Sequence, residues 1–170
     1  MAIPSEAVLY PAVCRWLQTF LHGRFPRATV AVYDTHAVFL NHFIAQHGLD
    51  RLFPTAIWQA YEIKVDLTAL VSTARQTALV FVECKRTRLS LRDLAQLLGY
   101  ARVARPQLAL LLSPAGLSDA LQSLLATYGR LDLLEYDWPP HQAPRRLIIG
   151  RWQVSSASPD RSALWPPGSL

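Results

Sequence analysis

Two neighbouring stretches of the chain carry the hydrophobic patterns of β-strands. In "YEIKVDLTALV" (61–71) apolar residues recur at alternate positions, whereas "ALVFVECK" (78–85) begins with an unbroken apolar run. Alternation is typical of a strand with one buried face, and a continuous apolar run is typical of a strand covered on both faces. The pattern therefore predicts two adjacent strands, the second of them central in a sheet.

The remaining periodicity completes a mixed α/β order. Apolar residues at helical spacing predict helices, and short apolar runs between turn residues predict further strands. The predicted helices are 5–22, 35–46, 90–104 and 116–128, and the other predicted strands are 28–33, 107–113, 131–137 and 145–154. This order predicts one α/β domain over residues 1–154, with a mixed central β-sheet flanked by helices. The Ser-, Pro- and Gly-rich segment 155–170 is expected to be a flexible C-terminal tail.

Composition limits the class of protein. The chain has 170 residues, 51% of them hydrophobic, which suits one folded domain with a proper core. A net charge of +5 is compatible with a polyanionic partner. Two cysteines are too few for a disulfide framework or a structural zinc site. The sequence shows neither a secretion signal nor an apolar run of bilayer length, so we expect a cytoplasmic protein without membrane contact.

Charged residues stand where the two predicted strands approach each other. Side chains alternate along a strand, so Glu83 and Lys85 share one face while Cys84 takes the other. Asp66 lies on the polar face of the preceding strand, and antiparallel pairing would bring it to Glu83 and Lys85. Two carboxylates at close range need a compensating charge, which Mg²⁺ or Mn²⁺ can supply while activating a water for phosphodiester hydrolysis. The pattern therefore indicates a metal-dependent nuclease site.

Less specific interpretations remain open for each of these residues. A Glu-x-Lys pair arises often by chance, and "EIK" at 62–64 is a second instance in this chain. We interpret Glu62 and Lys64 as a solvated ion pair, because the preceding Asp50 lies in a turn-like segment. The histidines at 36, 42 and 47 share a predicted helix but are not spaced to chelate zinc together.

The motifs also resemble a known family. "VDL" at 65–67 followed by "VECK" at 82–85 resembles the PD-(D/E)xK nuclease superfamily, which includes many restriction endonucleases, archaeal Holliday-junction resolvases and RecB-type exonuclease domains. Gln96 and Tyr100 resemble the Q-x-x-x-Y motif of the RecB-like branch. Glu6 resembles the glutamate that many members contribute from an N-terminal helix. Val65 stands where the family motif has proline.

The resemblance implies a restriction-endonuclease-like core and a Mg²⁺- or Mn²⁺-dependent deoxyribonuclease. It implies these roles: Asp66, Glu83 and Lys85 catalytic; Glu6, Asp66, Glu83 and the backbone carbonyl of Cys84 as metal ligands; Gln96 and Tyr100 beside the site or on the DNA backbone. Three following arginines are candidates for phosphate contact, although a solvated basic face would explain them as well: Arg86, Arg88 and Arg92.

Two functions follow from these expectations. The first is cleavage of DNA, and the alternative is a catalytically inactive nuclease-like module that binds nucleic acid or protein. The sequence leaves open the DNA form, RNA as a substrate, endo- or exonucleolytic action, and a homodimer.

Overall fold

The computed structural model describes residues 5–53 and 55–170. Its helices are α1 (Tyr10–Arg24), α2 (Leu40–Gln46), α3 (Leu91–Ala104) and α4 (Asp119–Gln122), the last extended by a π turn, Ser123–Thr127. Single 3-10 turns cover Glu6–Val8, Asp50–Leu52, Ala56–Ala60 and Leu131–Leu134. The strands are β1 (Thr29–Asp34), β2 (Leu67–Ser72), β3 (Thr77–Cys84), β4 (Leu108–Ser113), β5 (Glu135–Asp137), β6 (Arg145–Arg146), β7 (Ile148–Gln153) and β8 (Ser158–Trp165).

Six of the strands form one mixed sheet in the order β1-β2-β3-β4-β7-β8. The pairs β1–β2, β2–β3 and β7–β8 are antiparallel, whereas β3–β4 and β4–β7 are parallel. Strands β5 and β6 form a separate two-stranded ribbon. The predicted single α/β domain, with a mixed sheet flanked by helices, is confirmed.

Helices cover both faces of this sheet. On one face α1 packs residues such as Leu17 onto Val80 and Val82. On the other face α2, α3 and α4 enclose a second core around Phe81 and Leu111. Residues 80–84 of β3 are all buried, so the prediction of a central strand covered on both faces is confirmed.

Several predicted elements begin later than the sequence pattern indicated, among them α1 at Tyr10 and α4 at Asp119, and tertiary contacts explain the late starts of β2 and α2. The ladder of β2 starts only at Leu67, because the preceding stretch binds α2 instead: the Ile63 and Tyr61 carbonyls accept from the amides of Leu40 and Asn41. Helix α2 starts at Leu40 and not near residue 35. Its predicted first residue, Thr35, donates from Oγ1 to the Val65 carbonyl and from its amide to the Asp66 carbonyl. Tertiary contacts thus replace local propensity in both places.

The predicted flexible tail is wrong, because residues 158–165 form β8 at the edge of the main sheet. Trp152 pairs with Pro159, and Gly150 pairs with Leu164. An edge strand tolerates proline because one row of its amides has no ladder partner. The Ser- and Pro-rich segment therefore contains an edge strand, and the domain extends beyond residue 154. The predicted strand 131–137 is also shorter, since Leu131–Leu134 is a 3-10 turn.

Gly150 provides a test of how closely β8 packs. A Cβ on Gly150 would collide with the Ala163 carbonyl oxygen and the Leu164 side chain, so alanine should destabilise the protein by roughly 1–3 kcal/mol. In α3, apart from the chain neighbours of Gly99 and the backbone of the helix, none of the described residues lies within 4 Å of the position that a Cβ on Gly99 would take. Gly99→Ala should therefore be stabilising by about 0.5–1 kcal/mol. Urea denaturation of both variants measures the change in the free energy of unfolding. Equal changes for Gly150→Ala and Gly99→Ala would contradict the close approach of β8 to Gly150.

Candidate functional site

The three residues of the predicted motif lie together at one end of the β2–β3 hairpin. Asp66 immediately precedes β2, Glu83 and Cys84 end β3, and Lys85 follows. Leu67 pairs with Val82 in the antiparallel ladder, so the residues just beyond this pair, Asp66 and Glu83, are brought side by side. The local strand pattern therefore predicted the convergence correctly.

The Asp66 carboxylate is buried and held by two donors. Its Oδ1 accepts from the Tyr10 hydroxyl at 2.6 Å, and its Oδ2 accepts from the Cys84 amide at 2.8 Å. The side chain belongs to a residue only 8% exposed. Asp66 is consequently fixed from two directions, by the β3 backbone and by α1.

Glu83 is buried beside Asp66 and is bound to a cation. Its Oε1 accepts from Lys85 Nζ at 2.9 Å, and its Oε2 accepts from the Asp66 amide at 3.3 Å. Burial raises the pKa of Glu83 to about 7, and the neighbouring Asp66 charge adds to the rise, while Lys85 opposes it. Glu83 therefore retains a proton more readily than an ordinary glutamic acid.

Lys85 carries the positive charge of the cluster. Its Nζ lies 3.6 Å from Glu6 Oε2, so the N-terminal acid reaches the cluster through the lysine. Burial alone would lower the pKa of Lys85, but the hydrogen bond and charge of Glu83, followed by the charge of Glu6, raise it above its usual value. Lys85 thus stays protonated, and its backbone amide is fixed by the Leu112 carbonyl of β4.

Tyr10 is a site residue that the sequence analysis did not identify. Burial, and then the hydrogen bond with Asp66, raise the pKa of Tyr10 well above its usual value, so the hydroxyl remains a donor. The Tyr10 ring also lies 5.4 Å from the ring of His36, whose Nδ1 contacts Asp34 Oδ1 at 2.6 Å. Tyr10 follows Glu6 by four positions, so the predicted role of Glu6 could have drawn attention to it. The contact itself could not be predicted from a local pattern, because Tyr10 and Asp66 are 56 residues apart in the chain.

The donor set suits a hard divalent cation. Within residues 5–53 and 55–170, no three His, Cys, Asp or Glu side chains are grouped so that they could hold a metal ion together. Asp66 and Glu83 nevertheless supply adjacent carboxylates, and each carboxylate can accept more bonds than the two it makes here. Mg²⁺ commonly uses one or two protein carboxylates and keeps several waters. The two carboxylates are thus of the type that such an ion uses, and a role for Asp66 and Glu83 as its ligands stays a prediction.

The predicted ligands Glu6 and Cys84 are placed differently from Asp66 and Glu83. Glu6 approaches Lys85 in the 3-10 turn before α1, with a side chain 37% exposed. The Cys84 thiol faces the α1 side of the sheet and is fully buried. Any metal role of Cys84 would thus fall to its backbone carbonyl, as expected.

The predicted nucleic-acid contacts follow the cluster in the chain, in the segment after Lys85 and on α3. Gln96 is exposed on α3 and donates to the Tyr100 hydroxyl at 3.4 Å, while Tyr100 packs partly against the core. Arg88 forms an ion pair with Asp119 at 2.8 Å. Arg86 is half-buried and Arg92 is exposed. Contact of these side chains with DNA stays a prediction.

The second Glu-x-Lys pair, Glu62 and Lys64, lies in different surroundings from Glu83 and Lys85. Glu62 and Lys64 are both exposed, and Lys64 Nζ lies 4.6 Å from the Phe39 ring centroid. These two residues therefore form a matched surface control for Glu83 and Lys85.

In comparisons with protein-family models, curated proteins and solved structures, nothing matches this chain significantly. Among the residues described, none of the helices has the length and apolar character needed to cross a bilayer. Function must therefore be inferred from the geometry of the site.

Glu83 predicts a dependence of stability on pH. Its pKa rises on folding from 4.5 to about 7, so the folded protein binds the proton more tightly than the unfolded chain. The free energy of unfolding should therefore fall as pH rises through this interval, by up to about 3 kcal/mol, and then level off. Denaturation of metal-free protein across this range measures the change. Glu83→Gln should flatten the curve and Glu62→Gln should not; parallel curves for all three proteins would contradict the raised pKa.

Removal of the Tyr10 hydroxyl should leave Asp66 with an unsatisfied acceptor. We expect Tyr10→Phe to lower the free energy of unfolding by roughly 1–3 kcal/mol, because the lost bond is buried and involves a charged group. Tyr128 is 70% exposed, so Tyr128→Phe should change stability by less than about 0.5 kcal/mol. Equal denaturation midpoints for both variants would show that the bond contributes nothing.

Proposed function

We propose that this protein is a nuclease that hydrolyses phosphodiester bonds in DNA with Mg²⁺ or Mn²⁺. The observation that carries the proposal is the pair of adjacent buried carboxylates, Asp66 and Glu83, with Lys85 on the same hairpin end. Buried acids beside a lysine in this arrangement are more typical of a reactive site than of a structural ion pair. The proposal includes the restriction-endonuclease-like core that the motif resemblance implies.

Each residue of the cluster has a task in this chemistry. A cation bound by Asp66 and Glu83 would supply positive charge to the phosphate and lower the pKa of a water molecule. Lys85, a compact protonated ammonium, would stabilise negative charge that develops on the phosphate oxygens. Glu83 orients Lys85 through their 2.9 Å hydrogen bond, and Tyr10 and the Cys84 amide orient Asp66.

A second candidate is a nuclease-like module that binds nucleic acid or protein without cleaving it. One observation favours it: protein donors already contact all four oxygens of the two carboxylates. Such a cluster can exist as a self-contained polar network. Binding by this module would depend on salt but not on Mg²⁺, which separates it from the nuclease.

DNA as the substrate and the cytoplasm as the location belong to the proposal, and a homodimer is its proposed form for cutting both strands of a duplex. The basic charge of +5 supports a polyanionic substrate but does not choose among duplex, single-stranded and branched DNA or RNA. A substrate panel and sedimentation analysis address these points separately.

The proposal predicts loss of cleavage when the cluster is altered. With Mn²⁺ and a panel of labelled DNA forms, Asp66→Asn, Glu83→Gln and Lys85→Met should each reduce the cleavage rate at least about 100-fold. The first two remove a negative charge that would hold the cation, and the third removes the positive charge that would stabilise the reacting phosphate. The surface pair provides controls of the same residue types, and Glu62→Gln and Lys64→Met should cleave at the unaltered rate.

Two results would argue against the nuclease. Cleavage that persists in all three cluster variants would identify a contaminating enzyme. Intact DNA under every condition, together with calorimetry that detects no Mn²⁺ binding to the unaltered protein, would favour the non-catalytic module.

A further inference from the structure

A groove lies at the opposite end of the hairpin from the carboxylates. It consists of a part of about 640 Å³ that contacts a smaller part of about 220 Å³, and the two share Phe53, Tyr61, Ala104 and Arg105. The smaller part reaches Thr77, the first residue of β3, whereas the acid cluster lies at the last. Leu79, which also lines the smaller part, precedes Glu83 by four strand residues, or roughly 13 Å, and none of the described lining residues belongs to the acid cluster. The groove is therefore distinct from the proposed catalytic site.

The floor of the larger part is apolar and open to solvent. Ile57 is 60% exposed and Val103 is 50% exposed, and both line this part together with Ala60 and Ala104. These two exposed aliphatic side chains in one groove provide an apolar surface on which a ligand side chain can pack. Their aliphatic character suits a peptide side chain better than a stacked nucleic-acid base.

The rim of the groove is basic. Arg102 and Arg105 line the larger part, and Arg145 lines the smaller part. The nearby acid, Asp137, makes its shorter ion pair with Arg145, at 3.2 Å, and lies 3.9 Å from Arg105. The Arg105 side chain remains 73% exposed. Arg105 is thus available to meet a negative charge on whatever enters the groove.

The backbone of Arg105 gives an independent reason to assign it a binding role. Arg105 ends α3 in the left-handed conformation, with φ 48° and ψ 54°. Glycine is the usual residue at this position of a helix end, because a Cβ is disfavoured there. Arg105 thus occupies a glycine-type position while its side chain lines the groove.

We propose that this groove binds a peptide segment of another protein that combines an aliphatic side chain with an acidic one. The aliphatic side chain would pack on Ile57 and Val103, and the carboxylate would pair with Arg105. A second copy of this chain is the poorer occupant, because its net charge of +5 is repelled by the basic rim. The proposal is independent of DNA cleavage.

A displayed library of random twelve-residue peptides, selected on the full-length protein, tests the proposal. Enriched peptides should contain an acidic residue next to an aliphatic one, and their affinities are then measured by fluorescence anisotropy. We expect Arg105→Gly and Val103→Ser each to weaken binding at least about tenfold, and higher salt to weaken it further. Arg27, an exposed arginine in the turn before β1, supplies the control, and Arg27→Gly should bind as tightly as the unaltered protein.

The Arg105→Gly variant separates binding from folding. Because glycine suits the left-handed position, its melting temperature should equal or exceed that of the unaltered protein while peptide affinity falls. Selection that enriches no peptide, or peptides that lack acidic residues, would overturn the proposal. Unchanged peptide affinity in Arg105→Gly, or a melting temperature that falls together with the affinity, would also overturn it. Displacement of the peptide by an oligothymidylate would identify a nucleic-acid site instead, and a dimer of the unaltered protein that is lost in Val103→Ser would identify an interface between two copies.

Discussion

Two carboxylates lie side by side at the buried end of the β2–β3 hairpin. The groups around them offset the unfavourable free energy of burying two like charges at close range. Asp66 and Glu83 would repel each other without compensation. Tyr10 and a backbone amide bind one carboxylate, while Lys85 binds the other. Burial, and then the Asp66 charge, raise the pKa of Glu83. The proposed divalent cation would compensate the negative charge of both carboxylates.

The rest of the fold holds this cluster rigid. Strand β3 is central, and its end is fixed by β4 through the bond between the Lys85 amide and the Leu112 carbonyl. Thr35 donates hydrogen bonds to the Val65 and Asp66 carbonyls, on either side of the Asp66 Cα, which fixes the entry to β2. The residues before α2 are therefore not helical and those before β2 are not paired in the sheet, and their hydrogen bonds hold the Asp66 backbone instead. A site built on strands in this way is better ordered than one carried by a loop.

The protein presents two surfaces of different chemistry at opposite ends of β3. One end gathers acids around Lys85, and the other presents aliphatic side chains beneath Arg105. We propose a cation and a phosphate as ligands of the first, and an acidic and apolar peptide segment as the ligand of the second. The groove and the acid cluster share no described lining residue, so a partner in the groove need not contact the acid cluster. The proposed nuclease activity and the proposed peptide site can accordingly be tested one without the other.

The sequence by itself determined the fold class, the central position of β3 and the meeting of Asp66, Glu83 and Lys85, because strand alternation and hairpin register are local properties that a pattern of residues records. Only the tertiary structure decided the roles of Tyr10 and β8. The Tyr10 hydroxyl reaches Asp66 across 56 residues of chain, and the Ser- and Pro-rich end becomes a strand only because β7 offers it an edge. Contacts between distant segments depend on how helices and strands pack, and no local pattern encodes that packing.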